Sequence, residues 1–242
     1  MASTVPLCQE LGLDAPAHWE LLPFGAMEVW DFLERIDFHV YFTAPTLRES
    51  FCRAIAEALA AEREDDWITA RNEARLTEPA ERRGVRTLRA DVTVPAGWGA
   101  VFEAVLGEAG RVDILVNSAA LDPKFDPDSI GEQGANAFET FPLEGWKEAL
   151  DVNLTGMFLV TQACVAPMIE QGRKCSIINI CSTYGLNGPD QRIYIKDGKR
   201  VAYKPVYYTT TKVCVMGFTK YLAAYYAGTD IRVNALTPGG VF

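Results

Sequence analysis

Tyr208 and Lys212 have the residue types and the spacing for proton transfer in this 242-residue chain. They lie four residues apart in a helical pattern over about residues 208–227, which places the phenol and the ammonium on one face, about one turn apart. A free phenol has a pKa of about 10 and is a poor acid or base at neutral pH. A fixed cation nearby favours the phenolate and lowers that pKa. The pair therefore predicts a general acid/base, although this spacing alone is common.

The elements that must position this pair alternate along the chain from about residue 50. Short apolar runs typical of strands cover residues 66–70, 85–90, 112–117, 176–180 and 231–235. Helical patterns cover residues 53–62, 97–110, 143–171 and 208–227. Apolar runs separated by helices are typical of a parallel sheet that is covered on both faces. The sequence therefore predicts an α/β fold with right-handed crossovers.

Composition limits the classes of function. The net charge of −9 argues against nucleic-acid binding, which needs a basic face. The histidines, His18 and His39, lie far from any acidic or cysteine cluster, so no metal site is predicted. The six cysteines form no CxxC pair and are typical of buried thiols in a reducing compartment rather than of a redox site. No apolar run has the length of a membrane span, so we predict a cytoplasmic protein that binds neither nucleic acid nor membrane.

Four further segments accompany the Tyr–Lys pair and carry a resemblance to a known family. In chain order they are DILVNSAA at 113–120, DVNLTG at 151–156, NICSTYG at 179–185 and IRVNALTPGG at 231–240. Together with YTTTK at 208–212, they resemble the short-chain dehydrogenase/reductase family over about residues 53–242. The resemblance implies a single Rossmann-type domain over residues 43–242. It would be a doubly wound parallel sheet with helices on both faces, in three α/β/α layers.

The resemblance also implies a reaction and the residues that perform it. The expected activity is an NAD(P)-dependent interconversion of an alcohol and a carbonyl. Tyr208 matches the family's general acid/base, and Lys212 matches the residue that lowers the tyrosine pKa and holds the nicotinamide ribose. Ser182 matches the hydroxyl that orients the substrate carbonyl, and Asn153 the residue that holds a water in the proton relay. Taken singly, these residues could equally be a core amide, a strand-end hydroxyl and a solvated charge.

The cofactor is expected along the strand ends. The residues that the resemblance places there are Ser50, Arg71, Asp91, Asn117, Ala119, Tyr208, Lys212, Pro238 and Gly239. Asp91 matches the carboxylate beside the adenine. At the end of the second family strand, Ala70 and Arg71 stand where an acidic residue would select NAD. Because an arginine can pair with a 2′-phosphate, NADP is favoured and NAD is the alternative. The other interpretation of Arg71 is a solvated loop charge.

One motif departs from the family pattern. Between Thr43 and Arg53, where the family has a glycine-rich TGxxxGxG turn, the chain contains no glycine. Glycines there let the backbone approach a pyrophosphate closely. Ser50 or Thr46 could cap the following helix instead, and Arg48 could add positive charge. The departure leaves a catalytically silent binding or scaffold protein as the alternative function.

The two ends of the chain also differ from the family. Residues 1–42 match no family segment, and we interpret them as an atypical N-terminal extension. The chain ends at Phe242, before the family's substrate-covering helical segment and its last strand. From this ending we expect a truncated domain, an open substrate pocket and weakened homo-oligomers.

Two long loops carry the substrate prediction. Residues 121–141 and 186–206 follow strands, at the sheet edge where α/β enzymes bind ligands. In the second loop Asp197-Gly198 predicts a hairpin. Residues 117–125 and 184–194, which reach into these loops, and residues 233–241 are similar to bacterial members that make legionaminic-type sugars for surface and flagellin modification. Residues 192–204 hold five basic residues and one acidic residue. This charge favours an anionic, sugar-like small-molecule substrate, or else marks a solvated hairpin edge.

Overall fold

The computed structural model describes residues 66–71, 76, 85–122, 136–196 and 198–238. Several predictions from the sequence lie outside these ranges: the N-terminal extension over 1–42, the segment between Thr43 and Arg53 with Ser50, the helix at 53–62, and Gly239.

Five strands pair in parallel, as the alternating pattern predicted. They are β1 (Asp66–Ala70), β2 (Val85–Arg89), β3 (Ile114–Asn117), β4 (Cys175–Ile180) and β7 (Ile231–Leu236). The described strands form a β1–β2 pair and a three-stranded sheet in the order β3–β4–β7. Within the second sheet Asn117 lies opposite Asn179, and Ile180 lies opposite Leu236. Because the strands of each sheet run in one direction, their carboxyl ends share one edge of that sheet.

The insertion in the second long loop forms the predicted hairpin. β5 (Ile195–Lys196) and β6 (Lys199–Arg200) pair antiparallel. Gly198 lies in the turn with a φ of 72°, a left-handed conformation that glycine adopts without strain. The Asp-Gly signal therefore located the hairpin correctly, although each strand has only two residues.

The main helices are α1 (Pro95–Ala109), α2 (Leu143–Leu150), α3 (Gly156–Glu170) and α4 (Val206–Tyr225). The single helix that the sequence predicted over 143–171 is interrupted by one π-helical turn over Asp151–Thr155, which joins α2 to α3. Such turns are rare and occur often at functional sites. The combined segment Leu143–Glu170 is long and apolar enough to cross a membrane. We interpret it as a core helix, because Val160, Cys164 and Met168 of α3 are buried in the core.

The main hydrophobic core lies between α1, α3 and the strands β4 and β7. Its buried members include Trp98 and Phe102 of α1, Ile177 of β4 and Val233 of β7. Residues of β1 and β2, among them Trp67, pack partly buried against the same cluster. This core fixes the strands whose carboxyl ends carry the polar residues described below.

We expect the replacement of Gly156 by alanine to destabilise the chain, because Gly156 is in close contact with the turn after β2. A Cβ built on Gly156 would lie 2.6 Å from Cγ2 and 2.8 Å from Cβ of Val92. Such overpacking typically costs about 1–3 kcal/mol. Thermal unfolding of Gly156→Ala should therefore show a lower Tm than the unsubstituted chain.

Gly217→Ala is the matched control for this substitution. A Cβ at Gly217, inside α4, would meet nothing within 4 Å. Alanine favours an exposed helix over glycine by about 0.5–1 kcal/mol, so this variant should keep or raise the Tm. Equal losses of stability in the two variants would contradict the close-contact argument.

Candidate active site

The first turns of α4 bring Tyr208 and Lys212 together as the four-residue spacing predicted. The Lys212 Nζ lies 5.7 Å from the centre of the Tyr208 ring. Lys212 is only 5% exposed, and its Nζ donates a hydrogen bond of 2.7 Å to the Ile180 carbonyl oxygen at the end of β4. A buried ammonium needs such a partner. The ammonium is therefore fixed between the helix and the carboxyl edge of the sheet.

Ser182 joins this pair from the residues that follow β4. Its hydroxyl is hydrogen-bonded to the Tyr208 side chain. It also accepts a hydrogen bond of 3.2 Å from the Tyr184 backbone N–H, which caps a short 3₁₀ turn over Thr183–Gly185. The Tyr184 and Tyr208 rings meet edge to face with their centres 6.4 Å apart. The predicted Ser–Tyr–Lys set is therefore assembled in space.

The Tyr208 phenol has a raised pKa in this structure. Burial is the largest cause, because it disfavours the phenolate, and the Asp122 carboxylate raises the pKa further. The hydrogen bond with Ser182 acts in the opposite direction and lowers it. The expectation that the pKa of this tyrosine lies below its usual value is therefore wrong for the chain by itself. Burial and Asp122 dominate, and the sequence pattern revealed neither.

Asn153 lies in the π-helical turn and is buried. Its Nδ2 donates to the Thr211 hydroxyl at 3.1 Å and to the Leu121 carbonyl oxygen at 3.3 Å. Its Oδ1 accepts a hydrogen bond of 2.6 Å from the Leu121 N–H. Thr211 lies one residue before Lys212, so Asn153 ties α4 to the segment after β3. The described side-chain bonds give Asn153 a positioning role, and the water that the sequence assigned to it stays a prediction.

A buried network of hydrogen-bonded polar side chains, which was not predicted from the sequence, lies beneath the carboxyl edge of the sheet. The Asn117 Nδ2 donates at 2.9 Å to both the Thr161 hydroxyl and the Asn179 Oδ1. The Asn179 Nδ2 donates at 3.0 Å to the Thr219 hydroxyl in α4. The network therefore links β3, β4, α3 and α4. The Asn117 side-chain nitrogen therefore makes its hydrogen bonds within the protein. The cofactor contact predicted at Asn117 would have to use other atoms of that residue.

The residues expected near the adenine end lie at the carboxyl ends of β1 and β2. The Asp91 Oδ1 accepts hydrogen bonds from the Thr93 N–H at 2.9 Å and the Thr93 hydroxyl at 2.7 Å. These bonds lower the pKa of Asp91, and the charge of Arg71 lowers it further. Arg71 follows β1 directly and is exposed. A carboxylate and a guanidinium thus stand at neighbouring strand ends, where the sequence predicted the adenine end of the cofactor.

Of the other predicted cofactor residues, Ala119 and Pro238 lie at the carboxyl edge of the second sheet. Ala119 lies two residues after β3, and Pro238 lies two residues after β7. The Pro238 carbonyl oxygen accepts a hydrogen bond of 3.0 Å from the Thr183 N–H, beside Ser182. With the buried Lys212 ammonium at the end of β4, the described part of this edge fits a nicotinamide dinucleotide. Parallel α/β sheets bind such ligands outside the carboxyl ends of their strands.

Two residues beside Tyr208 were not assigned to the site from the sequence. The Lys204 Nζ lies 3.9 Å from the centre of the Tyr208 ring and forms an ion pair with the Asp122 carboxylate. Asp122 is also hydrogen-bonded to the Tyr208 side chain. Lys204 belonged to the predicted basic stretch 192–204, but that pattern could not show which of its cations reaches the tyrosine.

The fold and this site define a class of protein: a Rossmann-type α/β protein with tyrosine, serine and lysine side chains grouped at the carboxyl edge of a parallel sheet. Residues 48–242 match the family model described as short chain dehydrogenase. The chain therefore belongs to the short-chain dehydrogenase/reductase family. Family membership confirms the predicted fold class. The matched family model describes dehydrogenases, which is the class of enzyme that the sequence predicted.

Curated relatives differ in their named activities. The 3-alpha-(or 20-beta)-hydroxysteroid dehydrogenase of Mycobacterium bovis is 38% identical over 154 residues, which are 64% of this chain and 50% of the relative. The 2-dehydro-3-deoxy-D-gluconate 5-dehydrogenase of Dickeya dadantii is 32% identical over 63% of this chain and 51% of its own length. The 3-oxoacyl-[acyl-carrier-protein] reductase FabG of Aquifex aeolicus is 34% identical over 77% and 68%. The chain thus spans about half the length of the first two relatives.

A solved structure of a dehydrogenase has the same fold as this chain. The gluconate 5-dehydrogenase from Burkholderia cenocepacia J2315, in complex with NADP and tartrate, superposes with a TM-score of 0.61 at 27% identity. The match covers 79% of this chain and 67% of that one. The relatives named here are hydroxysteroid, sugar-acid and acyl-carrier-protein enzymes. None of them belongs to the legionaminic-type branch that the loop resemblance predicted.

Proposed function

We propose that this chain is an NADP-dependent oxidoreductase that interconverts an alcohol and a carbonyl. The observation that carries the proposal is the arrangement at the start of α4. Tyr208 is hydrogen-bonded to Ser182, and the Lys212 ammonium lies 5.7 Å from the Tyr208 ring. A silent scaffold would have no chemical need to hold a buried ammonium beside a phenol, because a buried charge without a function is costly.

Each residue of the proposed site has a separate role in the reaction. A bound nicotinamide supplies or accepts the hydride. For reduction, the Tyr208 hydroxyl donates its proton to the carbonyl oxygen, and for oxidation the phenolate accepts the proton of the alcohol. The Ser182 hydroxyl, fixed beside Tyr208, holds the reacting oxygen. Lys212 stabilises the phenolate that forms, and Asn153 keeps α4 in place through Thr211.

For the cofactor we propose NADP, with NAD as the alternative. Arg71 would pair with the 2′-phosphate, Asp91 would accept from the adenine amino group, and Lys212 would hold the nicotinamide ribose. The exposed position of Arg71 directly after β1 supports this assignment. The NADP in the gluconate 5-dehydrogenase structure is consistent with it. The remaining members of the proposed cofactor set are Ser50, Asn117, Ala119, Tyr208, Pro238 and Gly239.

For the substrate we propose a sugar acid or another sugar-derived, anionic alcohol. Two of the relatives named above act on sugar acids, and one was solved with tartrate, which is itself an anionic hydroxy acid. The basic residues at 192–204 support the same class. This wider class replaces the legionaminic-type assignment, which the named relatives do not support. A reducing, cytoplasmic location stays part of the proposal on the basis of cysteine usage.

We also propose that the chain forms a homo-oligomer through α3 and α4. Large apolar side chains are exposed on both helices: Phe158 and Ile169 on α3, and Val213, Tyr221 and Tyr225 on α4. The Tyr221 and Tyr225 rings stack with their centres 5.9 Å apart, and exposed apolar side chains that group together mark interaction surfaces in soluble proteins. Light scattering after size exclusion measures the state directly.

NADPH and NADH titration tests the proposed function before any substrate is known. We expect NADPH to bind more tightly than NADH. Arg71→Ala should weaken NADPH about 10–100-fold and leave NADH unchanged, since it removes one charge-assisted contact with the 2′-phosphate. Arg173→Ala is the control. Arg173 pairs weakly with Asp113 before β3, at the opposite edge of the sheet.

Two outcomes of this titration would count against the proposal. If neither dinucleotide binds at millimolar concentration, the chain is not a working oxidoreductase, and the silent scaffold becomes the better hypothesis. If Arg71→Ala weakens NADPH and NADH equally, Arg71 does not select the 2′-phosphate, and the cofactor preference must come from elsewhere.

A further inference from the structure

Only one cation of the basic stretch is described in contact with the acid/base. Arg192 is bonded to Asp190 at 2.8 Å, and Arg200 lies over the Tyr203 ring at 4.6 Å. Both are exposed, as is Lys199. The side chain of Lys204, by contrast, is only 11% exposed, and its Nζ lies 3.9 Å from the centre of the Tyr208 ring. Proximity to the reaction therefore singles out Lys204.

The fold holds the Lys204 backbone in place. The Gln191 side chain contacts both sides of this residue: its Nε2 donates at 3.1 Å to the Lys204 carbonyl oxygen, and its Oε1 accepts at 3.0 Å from the Lys204 N–H. The Arg200 Nη1 donates at 2.7 Å to the Gln191 carbonyl oxygen. The hairpin insertion thus braces the residue that carries the cation. A fixed backbone lowers the entropy that an ammonium loses when it binds an anion.

Asp122 places an anion beside both Lys204 and Tyr208. Its carboxylate accepts a hydrogen bond from the Lys204 Nζ, and it is hydrogen-bonded to the Tyr208 side chain. The same carboxylate raises the pKa of Tyr194, Tyr207 and Tyr208 through its charge, so it lies near all three phenols. Asp122 is 42% exposed. The Asp122 carboxylate therefore occupies the space that the neighbouring groups of a substrate would enter when its reacting oxygen is hydrogen-bonded to Tyr208.

We propose that Lys204 binds the anionic group of the substrate, and that Asp122 is an internal competitor for the same cation. When substrate enters, its carboxylate or phosphate replaces the Asp122 carboxylate on the Lys204 ammonium, and Asp122 turns to water. This inference rests on the proposed function, because it assigns the substrate class of the same site. It also gives the hairpin insertion a role, which is to position the cation that recognises the substrate.

The arrangement accounts for selection as well as binding. Asp122 is exposed, so its exchange for an external anion leaves no buried charge without a partner. A neutral alcohol cannot replace the carboxylate, because it brings no charge to pair with Lys204. Such a substrate must share the space with Asp122 and bind less tightly. Anionic substrates gain from the exchange and neutral ones do not.

The test uses isothermal titration of the full chain with three probes: D-gluconate for a carboxylate, D-glucose 6-phosphate for a phosphate, and the neutral D-glucitol. We expect Lys204→Met to weaken whichever anion binds by about tenfold or more. Asp122→Asn, which removes the competitor but keeps the shape, should strengthen the same anion by several-fold. Lys174→Met, a control at an exposed lysine just before β4, at the opposite edge of the sheet, should leave the affinity for either anion unchanged. D-Glucitol should respond to none of the three variants.

The opposite signs of the two substitutions make the result decisive. A merely structural ion pair would lose affinity in both Asp122→Asn and Lys204→Met, and that outcome would overturn the proposal. Absence of anion binding to the unsubstituted chain would also overturn it. The proposed oxidoreductase function is tested separately, by the NADPH titration. Thermal melting of each variant shows whether it folds. If Lys204→Met does not, the gain in Asp122→Asn still decides, because a loss or no change in that variant contradicts the exchange.

Discussion

Tyr208→Phe should lose about 10²–10⁴-fold in kcat/KM for the substrate that the chain oxidises best, because the variant keeps the ring and removes the proton-transferring hydroxyl. The ring contacts with Tyr184 and Lys204 should persist, so the fold and the affinity for NADPH should change little. The measurement is the initial rate of nicotinamide reduction across a panel of sugar acids, hydroxysteroids and polyols. Raising the pH should not restore activity, since phenylalanine has no proton to lose.

Tyr221→Phe is the matched control, because Tyr221 lies on the same helix, away from Ser182, and the substitution keeps the exposed apolar ring that the proposed subunit interface would use. It should retain full activity. A Tyr208→Phe variant that keeps more than about a tenth of the activity would contradict the assignment of Tyr208 as the acid/base, since a single positioned proton donor contributes at least about 10²-fold. The catalytic role would then pass to another group at the same edge of the sheet.

The short-range part of this site could be predicted from the sequence, because helical spacing alone determines it. Tyr208 and Lys212 lie on one face of α4 wherever that helix packs. The same holds for the hairpin, since Asp197-Gly198 specifies a local turn without reference to the rest of the chain. The strand positions followed from short apolar runs, and the structure moves their ends by only one or two residues.

The long-range part could not be predicted, because it depends on which loops meet. Asp122 and Lys204 are 82 residues apart in the chain, and no periodicity links them. The predicted direction of the change in the Tyr208 pKa was wrong for the same reason. The pKa depends on burial and on Asp122, and only tertiary packing brings these to the phenol. The chain of Asn117, Asn179 and Thr219 was missed, although an asparagine inside an apolar strand is a signal for such a network.

The Lys212 ammonium is the cation that we expect to assist the buried tyrosine. Burial raises the pKa of Tyr208, which makes the phenol a poor base. The cation in α4, itself held by the Ile180 carbonyl oxygen, favours the charged form of the phenol when a proton must leave. Lys204 provides a second positive charge near the same ring, but the structure pairs it with Asp122. Of these two cations, Lys212 is therefore the one suited to proton transfer, and Lys204 is suited to recognition.

Lys212→Met should lower kcat/KM for oxidation by about 10–10³-fold, because a fixed cation within several ångströms favours the phenolate and its loss raises the pKa of Tyr208. The sign follows from the reaction: oxidation needs the phenolate, whose fraction rises about tenfold per pH unit below the pKa. The rising limb of the pH profile should therefore move to higher pH. Raising the pH should restore part of the activity, whereas raising the substrate concentration should not.

Lys220→Met is the control for this change, because Lys220 lies two turns further along α4 and is exposed. It should leave the pH profile in place. A Lys212→Met variant with an unshifted profile and a weaker affinity for NADPH alone would mean that Lys212 only holds the cofactor. The shift of the profile thus separates electrostatic assistance to Tyr208 from ribose binding, two roles that a loss of activity alone cannot distinguish. It also distinguishes this variant from Tyr208→Phe, whose activity no pH restores.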